Sequence, residues 1–187
     1  MSATRRTRSA RSSRSMPPED PAGRDPEPDP HDVARQMVLR QLTMAPRSRA
    51  ELEKKLAQRG CDEQVARVVL DRMEEVGLVD DEAYAGMLVR SRQSGRGLAR
   101  RALRAELRKK GVQTDVIEEA VGQVSEDDER DEARRLVDKK LRGMAGLDAQ
   151  VQARRLAGML ARKGYGGEVA YSVIREAIRD APEHQRD

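Results

Sequence analysis

Between residues 90 and 110 the chain carries nine basic side chains and a single acid. They are Arg90, Arg92, Arg96, Arg100, Arg101, Arg104, Arg108, Lys109 and Lys110, against Glu106. Cations at this density need no cofactor to act: they neutralise an anion, carboxylate or phosphate. Arg96, Arg100, Arg104 and Arg108 follow one another at i, i+4, so wherever the segment is helical they line one stripe. Leu103 and Leu107 form the adjoining apolar stripe, which must face a core. Like charges at this spacing cost about 0.2–0.5 kcal/mol per pair, a penalty that an anionic partner removes. A merely solvated helix face normally mixes its signs, and this one does not.

The next stretch inverts the sign, with Asp115, Glu118, Glu119, Glu126, Asp127, Asp128, Glu129, Asp131 and Glu132. It either neutralises a basic face of the same chain or meets a basic patch on a partner; both readings stand. The chain then turns basic again, with Arg134, Arg135, Lys139, Lys140, Arg142, Arg154, Arg155, Arg162 and Lys163. The net charge is only +4 and the sequence pI about 9.4, so the sorting of charge says more than the sum.

Residues suited to catalysis are few. His31 and His184 fall in expected flexible ends, where neither a metal geometry nor a catalytic pKa is held. One cysteine, Cys61, gives no thiolate cluster and no intrachain disulfide, and fits a reducing cytoplasm. Gly95-Arg96-Gly97 and Gly164-Tyr165-Gly166-Gly167 lack the strand, Lys and Ser/Thr of a phosphate loop and read as helix boundaries. Asp80-Asp81 precedes a helical pattern and reads as a cap. We therefore expect no enzyme, no cofactor and no metal site.

The elements that position these charges are helices. Good helix formers dominate, and the chain has no Phe, no Trp and three tyrosines, so any core is built from Leu, Val, Ala, Met and Ile in thin layers. Leu52, Leu56, Gly60, Val65 and Leu70 share their spacing with Leu103, Leu107, Gly111, Val116 and Val121, and again with Leu156, Leu160, Gly164, Val169 and Ile174. Five positions recurring in three copies mark a tandem array. Each copy reads as a leucine-striped helix, a glycine at its C-terminal end and a second helix, with a further helix ahead of them at about 33–44, 81–93 and 129–142. Ser48-Arg49-Ala50-Glu51 is a capping-box signature, and Asp62 and Thr114 are candidate N-caps.

The expected fold class is all-α: an elongated tandem array of three three-helix repeats, each sharing its core with its neighbours, behind a disordered N-terminal tail. The expected division is an Arg/Pro-rich tail over 1–31, repeats over 32–80, 81–125 and 126–181, and a flexible C-terminus over 182–187. Arg5, Arg6, Arg8, Arg11 and Arg14 open the tail, but Pro17-Pro18-Glu19-Asp20 follows instead of the apolar run of an export signal. No apolar stretch reaches the length of a membrane span. A cytoplasmic monomer is expected.

Several stretches resemble the RecX family. Arg47-Ser48-Arg49-Ala50-Glu51-Leu52, with Lys55-Leu56 and Gly60, looks like its opening motif. Gly77-Leu78-Val79-Asp80-Asp81-Glu82-Ala83-Tyr84-Ala85 is similar to its most characteristic stretch. Arg90, Gly95-Arg96-Gly97 and Ala105 to Val112 continue the match in register, over about residues 32–180. The resemblance implies three three-helix repeats that lie in the groove of the RecA filament on single-stranded DNA. It implies restraint of filament growth, ATP hydrolysis, strand exchange and coprotease activity, in DNA repair, recombination and the SOS response. It brings no catalytic residues; Gly77, Leu78, Asp80, Asp81 and Tyr84 are read as structural, serving turn, cap and packing between modules. The basic residues from Arg90 to Lys110 are the expected partner or DNA surface. Two other readings remain: a stand-alone, sequence-nonspecific DNA-binding protein, single- or double-stranded DNA held through its phosphates, and a helical scaffold for another acidic protein.

Overall fold

The computed structural model describes residues 28–181, and among them every regular element is a helix. The first module comprises α1 (Pro30–Met44), α2 (Arg49–Gln58) and α3 (Glu63–Glu75). The second comprises α4 (Asp81–Arg96), α5 (Arg100–Lys109) and α6 (Thr114–Gly122). The third comprises α7 (Glu126–Leu141), a 3-10 turn at Arg142–Met144, α8 (Ala149–Arg162) and α9 (Gly167–Asp180). The arginines of residues 5–14 and the segment 182–187, His184 included, lie outside the described residues. His31, expected in a flexible end, stands instead in the first turn of α1, its backbone N–H donating to Asp29 at 2.8 Å.

Local sequence sets the helix ends. Ser48 closes a capping box on α2 with Glu51, and Asp62 accepts from the N–H groups of Gln64 and Val65 at the start of α3. Thr114 is not the cap expected of it: α6 begins on it, the preceding Gln113 occupies the cap position, and no side chain caps that helix. Gly97 ends α4 in the left-handed conformation.

Each module closes largely on its own core, a correction to the expected sharing between neighbours. Leu52, Leu56 and Leu70 pack with Ala34 and Val38; Leu103, Leu107, Ile117 and Val121 pack with Tyr84 and Leu88; Leu156, Leu160 and Ile174 pack with Val137 and Tyr165. Every substantial helix-to-helix packing runs within a module. With no Phe or Trp, three helices of modest side chains enclose each cluster, and among these buried residues Ala99, at the cap of α5, crosses from the second module into the third module's core.

The joints between modules are bound by polar groups beside close glycine–alanine contacts, and the bonds at both use the same repeat positions. At the first joint the Ser48 hydroxyl, at the cap of α2, donates to the Lys110 carbonyl at 2.6 Å. At the second, the Ala99 N–H, at the cap of α5, donates to the Lys163 carbonyl at 2.9 Å. Arg49 and Arg100 begin α2 and α5, and their N–H groups donate to Asp81 (2.8 Å) and Glu129 (2.9 Å) in the first helix of the next module. Helix N-terminal donors are thus satisfied by carboxylates of the following repeat. Gly111 and Gly164 lie against the first turns of α2 and α5: a Cβ on Gly111 would stand 2.4 Å from Ala50 Cβ, and one on Gly164 2.7 Å from the Ala102 nitrogen.

Candidate functional site

The basic block divides at Gly97. Arg96 is the last residue of α4 and α5 starts at Arg100, so Arg96 is not on the helix that carries Arg100, Arg104 and Arg108. The single stripe expected from their i, i+4 spacing does not exist as one surface. On α5, Leu103 and Leu107 are fully buried, which turns Arg101, Ala105 and Arg108 to the opposite, exposed side.

Ion pairing sorts the nine bases further. Arg92 Nε donates to Glu106 at 2.6 Å, and Arg104 Nε reaches both oxygens of Glu118 at 2.9 Å. Arg100 lies 3.6 Å from Glu126, and Lys110 Nζ donates to Glu51 at 2.7 Å. Arg90, Arg96, Arg101, Arg108 and Lys109 are exposed, and their side chains make no hydrogen bond or ion pair with another described residue. The surviving basic surface is therefore the outer face of α5 together with the flank of α4. The acidic block is spent in part on its own chain: Glu118, Glu126 and Glu129 meet Arg104 and Arg100, and Glu132 meets Arg135 at 2.5 Å.

The stretch from Gly77 to Tyr84 lies at the first joint. Gly77 takes φ +68 in the turn after α3, and Asp80 caps α4 by accepting from the Ala83 N–H at 2.8 Å. Asp81 receives Arg49, as above, while Tyr84 is buried and its hydroxyl donates to Glu51 at 3.1 Å. Leu78 is 51% exposed and faces solvent. Burial opposes ionisation of Glu51, yet Lys110, Tyr84 and the Ser48 N–H outweigh it and hold its carboxyl below the ordinary value. Burial, with the Glu51 charge added, pushes the Tyr84 hydroxyl up to about 12.

Lys163, named only among the basic residues, and Tyr165, named only in a helix boundary, both serve the second joint. Lys163 Nζ donates to the Arg96 carbonyl, and the Tyr165 hydroxyl donates to the Gly97 carbonyl at 3.2 Å. The repeat carried the signal: Lys110 and Lys163 both stand immediately before the repeated glycine. Among the described residues no group of three or more His, Cys, Asp or Glu is placed to hold a metal ion, and no helix is long and apolar enough to cross a membrane.

Comparison with known proteins agrees with this architecture. The first, second and third three-helix domains of RecX match residues 34–73, 80–121 and 126–174. The chain is 49% identical over 159 residues to the regulatory protein RecX of Streptomyces coelicolor, covering 85% of each chain. It is 46% identical over 170 residues to that of Thermobifida fusca, covering 87% of this chain and 92% of the relative. The crystal structure of RecX from Lactobacillus salivarius superposes with a TM-score of 0.72 at 19% identity, over 79% of this chain and 96% of that one, a likeness of fold. Three family domains in order, and relatives this similar along most of their length, together place the chain in the RecX family of regulatory proteins.

Proposed function

We propose that this chain binds the RecA recombinase filament on single-stranded DNA and restrains it, without chemistry of its own, in cytoplasmic DNA repair, recombination and the SOS response. The observation that carries this reading is the match of all three RecX domains in order along the described chain. The exposed cations Arg90, Arg96, Arg101, Arg108 and Lys109 supply the contact to carboxylate or phosphate. The test is ATP hydrolysis by the cognate recombinase on single-stranded DNA during titration with this protein. Slowing at near-stoichiometric amounts is expected; none would overturn the reading. Arg108→Glu with Lys109→Glu weakens the effect while helix content holds. Reversing Arg104 is a poorer probe, since it also breaks the pair with Glu118.

The same cations favour a second reading, direct DNA binding through phosphates. Tyr84 and Tyr165 are buried, which leaves Tyr171 alone for stacking on bases. Binding of that kind falls steeply with salt and ignores sequence. Sequence-specific protection of a duplex at moderate salt would exclude it.

A further inference from the structure

The third module departs from the other two on one surface, the channel between its second and third helices. Aligned on Leu52, Leu103 and Leu156, the place of Ala153 is taken by Arg49 and Arg100 in the earlier repeats. That of Ala157 is taken by Glu53 and Arg104, and that of Tyr171 by Arg67 and Glu118. In the first module Arg49 bridges the two helices to Asp71 (2.5 Å) and to Glu74. In the second, Arg104 bridges them to Glu118 at 2.9 Å. In the third, the counterparts of Asp71 and Glu74 are Arg175 and Ile178, so neither bridge can form. What remains is an open groove of about 810 Å³ floored by Ala157, Ala161, Ile174 and Ile178, with Tyr171 standing 68% exposed beside it.

The rim of this groove carries one sign. Arg101 reaches it from α5, and Arg154, Arg175 and Arg179 from α8 and α9, while no carboxylate lines it. Arg179 Nε is engaged by Asp180; Arg101, Arg154 and Arg175 make no ion pair with a described residue. Apolar floor and cationic rim together select an occupant with an apolar stripe flanked by acids. We propose that this groove docks a carboxylate-flanked amphipathic helix of another protein, laid along α8 and α9. From Ala153 to Ala161 the channel runs about 12 Å along α8, room for a little over two helical turns.

Other occupants fit less well. The chain beyond the described residues offers nothing apolar enough: residues 182–187 have no large apolar side chain, and 1–27 have only Met1 and Met16 among many arginines that the rim repels. A second copy pairing face to face would set arginine against arginine. Single-stranded nucleic acid would satisfy the rim, but an aliphatic floor with one exposed tyrosine is a poor stacking platform.

The proposal stands apart from the recombinase reading, and its test does not use recombinase. The full chain is titrated with fluorescent 16-residue model helices that share one leucine stripe and carry either Glu or Lys on both flanks. The Glu-flanked helix is expected to bind at least tenfold more tightly, and Arg154→Glu with Arg175→Glu to reverse that preference with helix content unchanged. Replacing Ala153 by Arg and Ile178 by Glu, which rebuilds the first module's bridge, should close the groove and lower affinity for both helices. No binding of the Glu-flanked helix, or equal binding of the two, would overturn the proposal. So would displacement of the bound helix by an oligothymidylate, or a concentration-dependent dimer lost in the Arg154/Arg175 variant, because either gives the groove another occupant.

Discussion

Glu51 receives more interactions than its place in a capping box requires. Besides the Ser48 N–H it takes the Tyr84 hydroxyl and the Lys110 ammonium, 33 and 59 residues along the chain. Glu51→Ala leaves both donors without their acceptor in a half-buried joint. A loss of about 1–3 kcal/mol is expected, read as a lower urea midpoint at unchanged slope. The pH dependence has a definite sign. Because the folded state holds the Glu51 carboxyl below its unfolded value, its stabilisation is complete above the ordinary carboxylate range and is lost as pH falls through the depressed value. Stability of the native protein therefore falls more on acidification than that of Glu51→Ala. Tyr84 acts at the other end: its raised value means a contribution present below about 10 and lost as pH climbs towards about 12. Subtracting the alkaline absorbance titration of Tyr84→Phe from that of the native chain should leave a transition near 12. Spacing in the sequence identified Ser48 and Glu51 as a cap because that bond is local. It could not disclose Tyr84 and Lys110 as partners, which the approach of a separate module brings there.

At the scale of elements, the repeat pattern is legible because it follows from burial: Leu103 and Leu107 must face inward, and the second helix of each module repeats that demand. The charge stripe fails where i, i+4 spacing runs through Gly95-Arg96-Gly97, because α4 ends there at a left-handed Gly97. Pairing of Arg104 with Glu118 was hidden for another reason, since it depends on how α6 lies against α5. The repeated glycine separates local from joint effects. Gly60, Gly111 and Gly164 all have positive φ, so alanine at any of them costs about 1 kcal/mol in backbone strain. A Cβ on Gly60 meets nothing within 4 Å, whereas on Gly164 it drives into the Ala102 backbone. Gly60→Ala should thus lose only the strain, and Gly164→Ala about 1–3 kcal/mol more from overpacking. Thermal melts of the two variants give the comparison; equal losses would mean the second joint yields freely.

The whole molecule is three small cores linked by largely polar joints, which suits a partner longer than any one module. The joints differ in proportion. The first has the Lys110–Glu51 ion pair and Asp81 at the start of α2 beside one neutral bond, Ser48 to the Lys110 carbonyl. The second has two neutral bonds, Ala99–Lys163 and Tyr165–Gly97, beside Glu129 at the start of α5 and the Arg100–Glu126 pair. Charge pairs that remain partly open to water are screened as the Debye length shrinks to about 3 Å near 1 M salt, while neutral hydrogen bonds are scarcely touched. High salt should therefore loosen the first joint more than the second. Spin labels at exposed Arg67 and Glu119 report the first joint, and labels at Glu119 and Arg155 the second, in a Cys61→Ser background. The first pair's distance distribution is expected to broaden with salt more than the second's, with helix content constant in both. Equal broadening would show that backbone bonds do not stiffen the second joint, and no broadening would show that ion pairs do not carry the first.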